Sequence, residues 1–241
     1  MLISVVIPAF NEADYLGETL AALNSAAAFL REKGGASAEV IVVDNDSADA
    51  TAEVARAHGA AVLKEARHNV ARVRNAGAER ARGEVLVFVD ADTRVPRELL
   101  WRVAAVMSEP ACLGGAVDTD YRPLKLSSKI YLGLWRVAGK AAGVAQGATQ
   151  FCRSDVFQTL GGYDETLFMG EDVDFYRRLK RLAARRRGRV CFVDDLRVVP
   201  STRRFDRWSL WRTLVWTNPL FIILFRRRKS AWRGWYEEAP R

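Results

Sequence analysis

Between residues 1 and 95, short apolar runs alternate with segments of helical periodicity, and this alternation constrains the fold more than any other feature of the 241-residue chain. Ile3–Ile7 is a β-branched run stopped by Pro8. After it Leu16, Leu20, Leu23, Ala27 and Leu30 recur at steps of four and three, the stripe of an amphipathic helix. Val40–Val43 is a second strand, and the turn-and-cap cluster Asp44-Asn45-Asp46-Ser47 leads into a helix that ends at His58 and Gly59. Ala61–Leu63 is a short third strand and Ala71–Ala81 a helix stopped by Arg82-Gly83. Val85–Val89 is a fully apolar run of the kind buried on both faces of a parallel sheet. The order βαβαβαβ predicts an α/β fold, a Rossmann-like, mostly parallel sheet flanked by helices. Ligands in such sheets bind beyond the carboxyl ends of the strands, so functional residues are expected to follow the strands.

Past Asp92 the pattern loosens. Helices are expected over Pro96–Ser108 and Ser128–Gly139, from Ser154 and over Glu171–Ala184, with strands near Cys112–Val117 and Val190–Val193 and a Gly-spaced stretch at Gly143–Gly147. With 49% hydrophobic residues and no linker-like segment or repeat, the economical reading is one domain over 1–200. Its first half would run to about residue 95 and its second over 96–200, with an extension over 201–241. Cys112, Cys152 and Cys191 are odd in number and widely spaced, which argues against a disulfide framework and against structural zinc. The N-terminus MLISVVIPAFNE reads as a strand and not a signal peptide, so the expected location is cytoplasmic.

Charge is unevenly divided. Residues 1–176 hold 18 Lys and Arg against 24 Asp and Glu, net −6, whereas residues 177–241 hold 19 against 5, net +14. The last quarter therefore points to a polyanionic partner or to a solvated basic surface. Arg203–Arg233 contains nine basic residues, one acid and four Trp, and its longest uncharged run, Thr213–Phe225, is 13 residues. Spanning a bilayer as a helix takes roughly 20 residues, so this segment is too short to cross. Two readings stay open: a helical, basic anchor in peripheral contact with an anionic membrane at its inner face, or a C-terminal helix buried on the domain.

The first strand ends in Pro8, Ala9, Phe10, Asn11 and Glu12, where a dinucleotide-binding unit would need a Gly-rich turn. The second ends at Asp44, a carboxylate able to accept hydrogen bonds from a base or ribose, although Asp-Asn-Asp-Ser is also an ordinary capped turn. The fourth runs into Asp90, Ala91 and Asp92. Two carboxylates at i and i+2 beyond a buried strand suit Mg2+ or Mn2+ carrying a diphosphate. Haloacid dehalogenase-type phosphohydrolases share this strand-end pair but want Thr or Val two residues later, where this chain has Arg94. Glu171 and Asp172 open a helix, a position that the helix dipole also favours for acids with no chemical role.

Taken in order, VVIPAFNE, VIVVDNDSADAT, RNAGAERARGEVLVFVDADT, GGYDE and GEDVDFYRRL resemble the family 2 glycosyltransferases, whose catalytic domain has the GT-A fold. The resemblance covers residues 2–185. It implies that Pro8–Glu12 and Asp44 hold the nucleotide of a nucleotide-sugar donor, that Asp90 and Asp92 hold ribose and metal-bound diphosphate, and that Asp172 is the general base of an inverting transfer to a hydroxyl acceptor, with Glu171 beside it. Arg72 and Arg74 are candidates for base or diphosphate contacts, with surface salt-bridging the alternative for each. Only His58 and His68 exist, so a His metal ligand from the C-terminal half is excluded; His58 reads as a helix-capping residue and His68 as a neighbour of the nucleotide. Arg204-Phe205-Asp206-Arg207-Trp208 is similar to the Gln-x-x-Arg-Trp string of processive members but lacks the Gln, which speaks against polymerisation. Arg207 and Trp208 either border the active site or form a basic helix face. The remaining alternatives are a strand-end-DxD phosphohydrolase and a non-enzymatic basic membrane- or nucleic-acid-binding module. No nucleic-acid partner is expected, because the acidic first 176 residues make a poor groove for a polyanion.

Overall fold

The computed structural model describes residues 1–34, 36–141 and 148–232. Its first half follows the alternation: β1 (Leu2–Ala9), α1 (Ala13–Glu32), β2 (Ser37–Asp44), α2 (Thr51–Ala57), β3 (Ala61–Lys64), α3 (Val70–Arg80) and β4 (Val85–Val89). Then come β5 (Thr93–Arg94), α4 (Leu99–Met107), β6 (Cys112–Thr119), α5 (Leu126–Ala141), β7 (Thr149–Arg153), α6 (Ser154–Leu160), α7 (Glu171–Arg185) and β8 (Arg189–Pro200). The Gly143–Gly147 stretch lies outside the described residues. One eight-stranded sheet has the order β3-β2-β1-β4-β7-β6-β8-β5. The β3-β2-β1-β4 half is parallel throughout, and β6 and β8 are also parallel. β7 is antiparallel to both of its neighbours and β5 to β8, so the second half is mixed.

The β-branched runs explain the layering, since alternate residues of one strand feed two cores. Ile3, Val5 and Ile7 of β1 pack with Leu16, Leu20 and Leu23 of α1 on one face. Val6 packs with Ala71, Val73 and Ala76 of α3 on the other. Gly77 allows α3 to lie directly on the sheet, because a Cβ there would stand 2.3 Å from Val6 Cγ1 and 2.9 Å from Val43 Cγ2. Two asparagines then stitch α3 to the loop before α7. Asn69 caps the helix by accepting from Arg72 N and donates to Glu165 O and Leu167 O, while Asn75 exchanges bonds with the backbone of Tyr163. These bonds fix the loop before α7 against the parallel half of the sheet.

One expectation is corrected. Cys112 and Cys191 form a disulfide, with Cα atoms 6.3 Å apart, because β6 and β8 are sheet neighbours although 79 residues separate the two cysteines; Cys152 is free and buried. The C-terminal extension is helical, as expected, and built of several short pieces. The sheet ends at Pro200, and α8 (Arg203–Arg207), α9 (Leu210–Trp216), α10 (Pro219–Phe225) and a 3-10 turn (Lys229–Trp232) follow. The break before α10 is local chemistry: Asn218 accepts from Leu220 N and Phe221 N while Pro219, which has no N–H to satisfy, opens the helix. The extension folds back on the domain. Phe168 N donates to Arg226 O at 2.7 Å and Arg227 pairs with Asp164 at 3.6 Å. Among the described residues no helix is long and apolar enough to cross a membrane.

Candidate active site

The carboxyl ends of β1, β2 and β4 open into one cleft of about 520 Å³, whose other wall is the start of α7 and the C-terminal extension. Pro8, Ala9, Phe10 and Glu12 line it beyond β1, and Asp90, Ala91 and Asp92 beyond β4. Met169, Gly170, Glu171 and Asp172 line the opposite side. Acids 80 residues apart in sequence thus share one cavity. Phe10 and His68 form an aromatic pair at its edge, ring centroids 4.8 Å apart, so His68 lines the cleft. His58 instead follows α2, its ring Nδ1 2.9 Å from Val54 O, away from the cleft.

Arg74 is the hinge of the arrangement. Its buried guanidinium donates from Nη1 to Glu171 Oε1 at 2.6 Å and from Nη2 to Asp90 Oδ1 at 2.8 Å. The two acids hold its pKa above the ordinary guanidinium value against the cost of burial. One side chain of α3 therefore couples the strand-end acid pair to the helix-start acid pair. Arg72, two residues earlier on α3, points elsewhere and takes the salt-bridging alternative: it pairs with Glu65, Glu79 and Glu165 and does not line the cleft. Asp44 is buried and accepts from Ser47 N at 3.1 Å, so it shapes the turn while the next residue, Asn45, reaches the cavity wall.

Burial pushes the Asp172 carboxyl up to about 7, with the Glu171 charge adding to the rise and Arg74 opposing it. Burial likewise raises Asp92 to about 6; Arg203 opposes, and Glu12 and Asp90 add. Arg203 closes this corner by pairing with Glu12, lying 3.4 Å from Asp92 Oδ2 and covering the ring of Tyr15 at 4.2 Å. Arg204, whose pKa burial lowers, lines the cleft beside Phe205 and Lys229. Among the described residues no group of three or more His, Cys, Asp or Glu side chains stands ready to hold a metal ion. A cation would therefore rest on Asp92 and Asp90 with ligand oxygens and water, the coordination Mg2+ commonly adopts.

Within the Arg-rich string, the two residues with a site reading stand away from the cleft. Arg207 is exposed and Trp208 is buried against Trp216, and neither lines the cleft. Arg203 and Arg204, the two before them, are the ones that reach it. Tyr121, which also lines the cavity, carried no sequence signal beyond being one of six tyrosines.

Residues 4–160 match the family model described as glycosyl transferase family 2. This chain belongs to glycosyl transferase family 2. The match displaces the phosphohydrolase and basic-module readings. Glycosyltransferase AglE of Haloferax volcanii is 29% identical over 188 residues, 73% of this chain and 60% of AglE. The undecaprenyl-phosphate 4-deoxy-4-formamido-L-arabinose transferase of Klebsiella pneumoniae is 33% identical over 154 residues, 58% of this chain and 45% of that protein. The chain thus spans about half to three-fifths of the length of these relatives. Among solved structures, mannosyltransferase PcManGT from Pyrobaculum calidifontis, in complex with GDP-Man and Mn2+, superposes with a TM-score of 0.67 at 23% identity, covering 87% of this chain and 59% of that one. The fold of this family 2 member is accordingly GT-A-like.

Proposed function

We propose that the chain moves a sugar from a nucleotide-sugar donor to an acceptor hydroxyl, with inversion at the anomeric carbon and with Mg2+ or Mn2+ assistance. The observation that supports this reading is the bridge from Asp90 through Arg74 to Glu171, which holds the strand-end and the helix-start acid pairs on one cleft. The donor base would lie by Phe10 and His68, with Pro8, Ala9 and Glu12 alongside and Asp44 holding the adjoining turn. Asp90, Ala91 and Asp92 would take ribose and diphosphate. The residues fit a divalent cation: Asp92 is a hard oxygen donor in an acid-crowded, desolvated corner, the setting that rewards added positive charge. When bound, the metal would neutralise the departing diphosphate. Arg204 and Lys229, on the same wall, supply further positive charge there, and Arg74 serves by fixing the acids.

In the transfer, the acceptor oxygen attacks the anomeric carbon and the bond to the diphosphate oxygen breaks, its electron pair leaving with the nucleoside diphosphate. The hydroxyl proton passes to the Asp172 carboxylate. A carboxyl raised to about 7 holds that proton far better than an ordinary one, which is what a general base at neutral pH needs. Glu171, engaged by Arg74, orients the helix start. The basic extension adds peripheral contact with an anionic membrane. PcManGT, crystallised with GDP-Man and Mn2+, supports the nucleotide-sugar and metal parts of the reading. A phosphate acceptor is the second reading, favoured by the Klebsiella relative, whose name specifies undecaprenyl phosphate. Such an acceptor is already ionised and needs no base.

Calorimetric titration of GDP and UDP, with and without Mn2+, tests the donor site. Wild type should bind one of them at least tenfold more tightly with Mn2+, and Asp92→Asn should lose that gain. Equal affinities in all arms would remove the metal and Asp92 together.

A further inference from the structure

α5 is turned the wrong way for a helix that faces water. Its inward side carries Ser128, Leu132 and Arg136 at steps of four: Ser128 donates to Phe205 O, Leu132 is buried, and Arg136 pairs with buried Asp118 on β6. The opposite side carries Leu126, Ile130, Leu134 and Val137, which are 71%, 57%, 66% and 68% exposed. α10 repeats the anomaly. It buries none of its residues and presents Leu220, Ile223 and Leu224, while α9 presents Trp211 and Leu214. Ten of the thirteen large apolar side chains exposed among the described residues fall in 124–137 and 211–224, so the exposure is concentrated in two segments. Tyr131 on α5 bonds Thr217 after α9, and Lys125 Nζ donates to Trp208 O at 3.0 Å, so these segments adjoin. Concentrated apolar exposure of this kind marks an interaction surface.

Charge selects the occupant. α5 contains no acid, and residues 207–233 contain none either. Exposed Lys125 and Lys129 flank the α5 stripe, and exposed Arg207, Arg227 and Arg228 flank the later helices. A second copy of the same face would bring these cations together, which costs free energy. An anionic bilayer would accept both parts, apolar side chains at the acyl boundary and cations among the headgroups.

We propose that α5, α9 and α10 form one docking platform that seats the chain on an anionic membrane, with the outward stripe of α5 inserting alongside the extension. The platform adjoins the cleft, because α8, which Ser128 of α5 contacts at Phe205 O, also supplies Arg204 and Phe205 to the cavity wall. Docking would therefore hold the cleft near the lipid surface. This placement deepens the membrane contact of the extension proposed above by adding the outward face of α5, and it does not rest on the transfer chemistry.

Vesicle co-sedimentation of the full chain tests it, using phosphatidylcholine alone and with phosphatidylglycerol. Wild type should sediment with the anionic vesicles and little with the neutral ones. Ile130→Gln with Leu134→Gln removes apolar surface without changing charge, and it should weaken partitioning about tenfold or more while leaving the thermal unfolding midpoint unchanged. Lys129→Gln with Arg228→Gln should weaken the anionic preference. Overturning results are wild type that ignores the vesicles, wild type that does not distinguish them, or an α5 double variant that binds like wild type. A wild-type dimer that the same double variant dissociates, with no vesicle binding, would assign the face to a second copy instead.

Discussion

Arg74 Nη1 lies 2.6 Å from Glu171 Oε1, and this contact ties α3 to the start of α7, where the candidate base Asp172 stands. Both side chains are almost fully buried, at 6% and 9% exposure. Removing one partner of such a pair leaves the other charge desolvated. Arg74→Met is therefore expected to cost about 3–5 kcal/mol of folding stability, read by urea denaturation, while Arg74→Lys keeps one contact and loses less. Equal stability of all three proteins would show that the contact does not hold the two halves together.

Asp172 sets a pH dependence. Its folded-state value, raised to about 7, exceeds the ordinary 3.8, so the folded chain binds this proton more tightly than the unfolded chain does. The resulting stability is fully present below pH 4 and is lost as pH rises towards 7. Asp172→Asn is permanently neutral, so its unfolding midpoint should match wild type near pH 4 and exceed it at pH 8. A variant that tracks wild type across this window would contradict the raised value.

Gly77 tests how α3 is seated. An added Cβ would clash with Val6 and Val43, so Gly77→Ala should destabilise by about 1–3 kcal/mol, the usual range for overpacking, measured as a shift in the urea midpoint. Wild-type stability in the Gly77→Ala variant would mean that α3 can lift off β1 at no cost.

The first half of the fold was legible because β-branched runs and helical stripes are local signals, and each parallel strand declared itself in five or so residues. β7 was not, since Thr149–Arg153 owes its strand conformation to pairing with β4 and β6 rather than to its own residues. The acid pairs that line the cleft stand at element ends, as their flanking patterns placed them, but it was the family resemblance that singled them out. Arg203 was not read as a site residue: it reaches Glu12 across 191 positions, a closure decided by tertiary packing alone. The same holds for Cys112 and Cys191, whose pairing follows from strand order. Arg72 and Arg74 looked equivalent in sequence, and only their directions on α3 separate them.

Under the proposed transfer, Asp172 takes the acceptor proton in the same cleft that would bind the donor. Release of nucleoside diphosphate from a nucleotide sugar in the presence of Mn2+, with water as acceptor, measures this without a known acceptor. Asp172→Asn should lower turnover by about 10²-fold or more, with donor affinity, measured by calorimetry, within about threefold of wild type. Full turnover in Asp172→Asn would contradict the assignment and favour an acceptor that arrives already ionised.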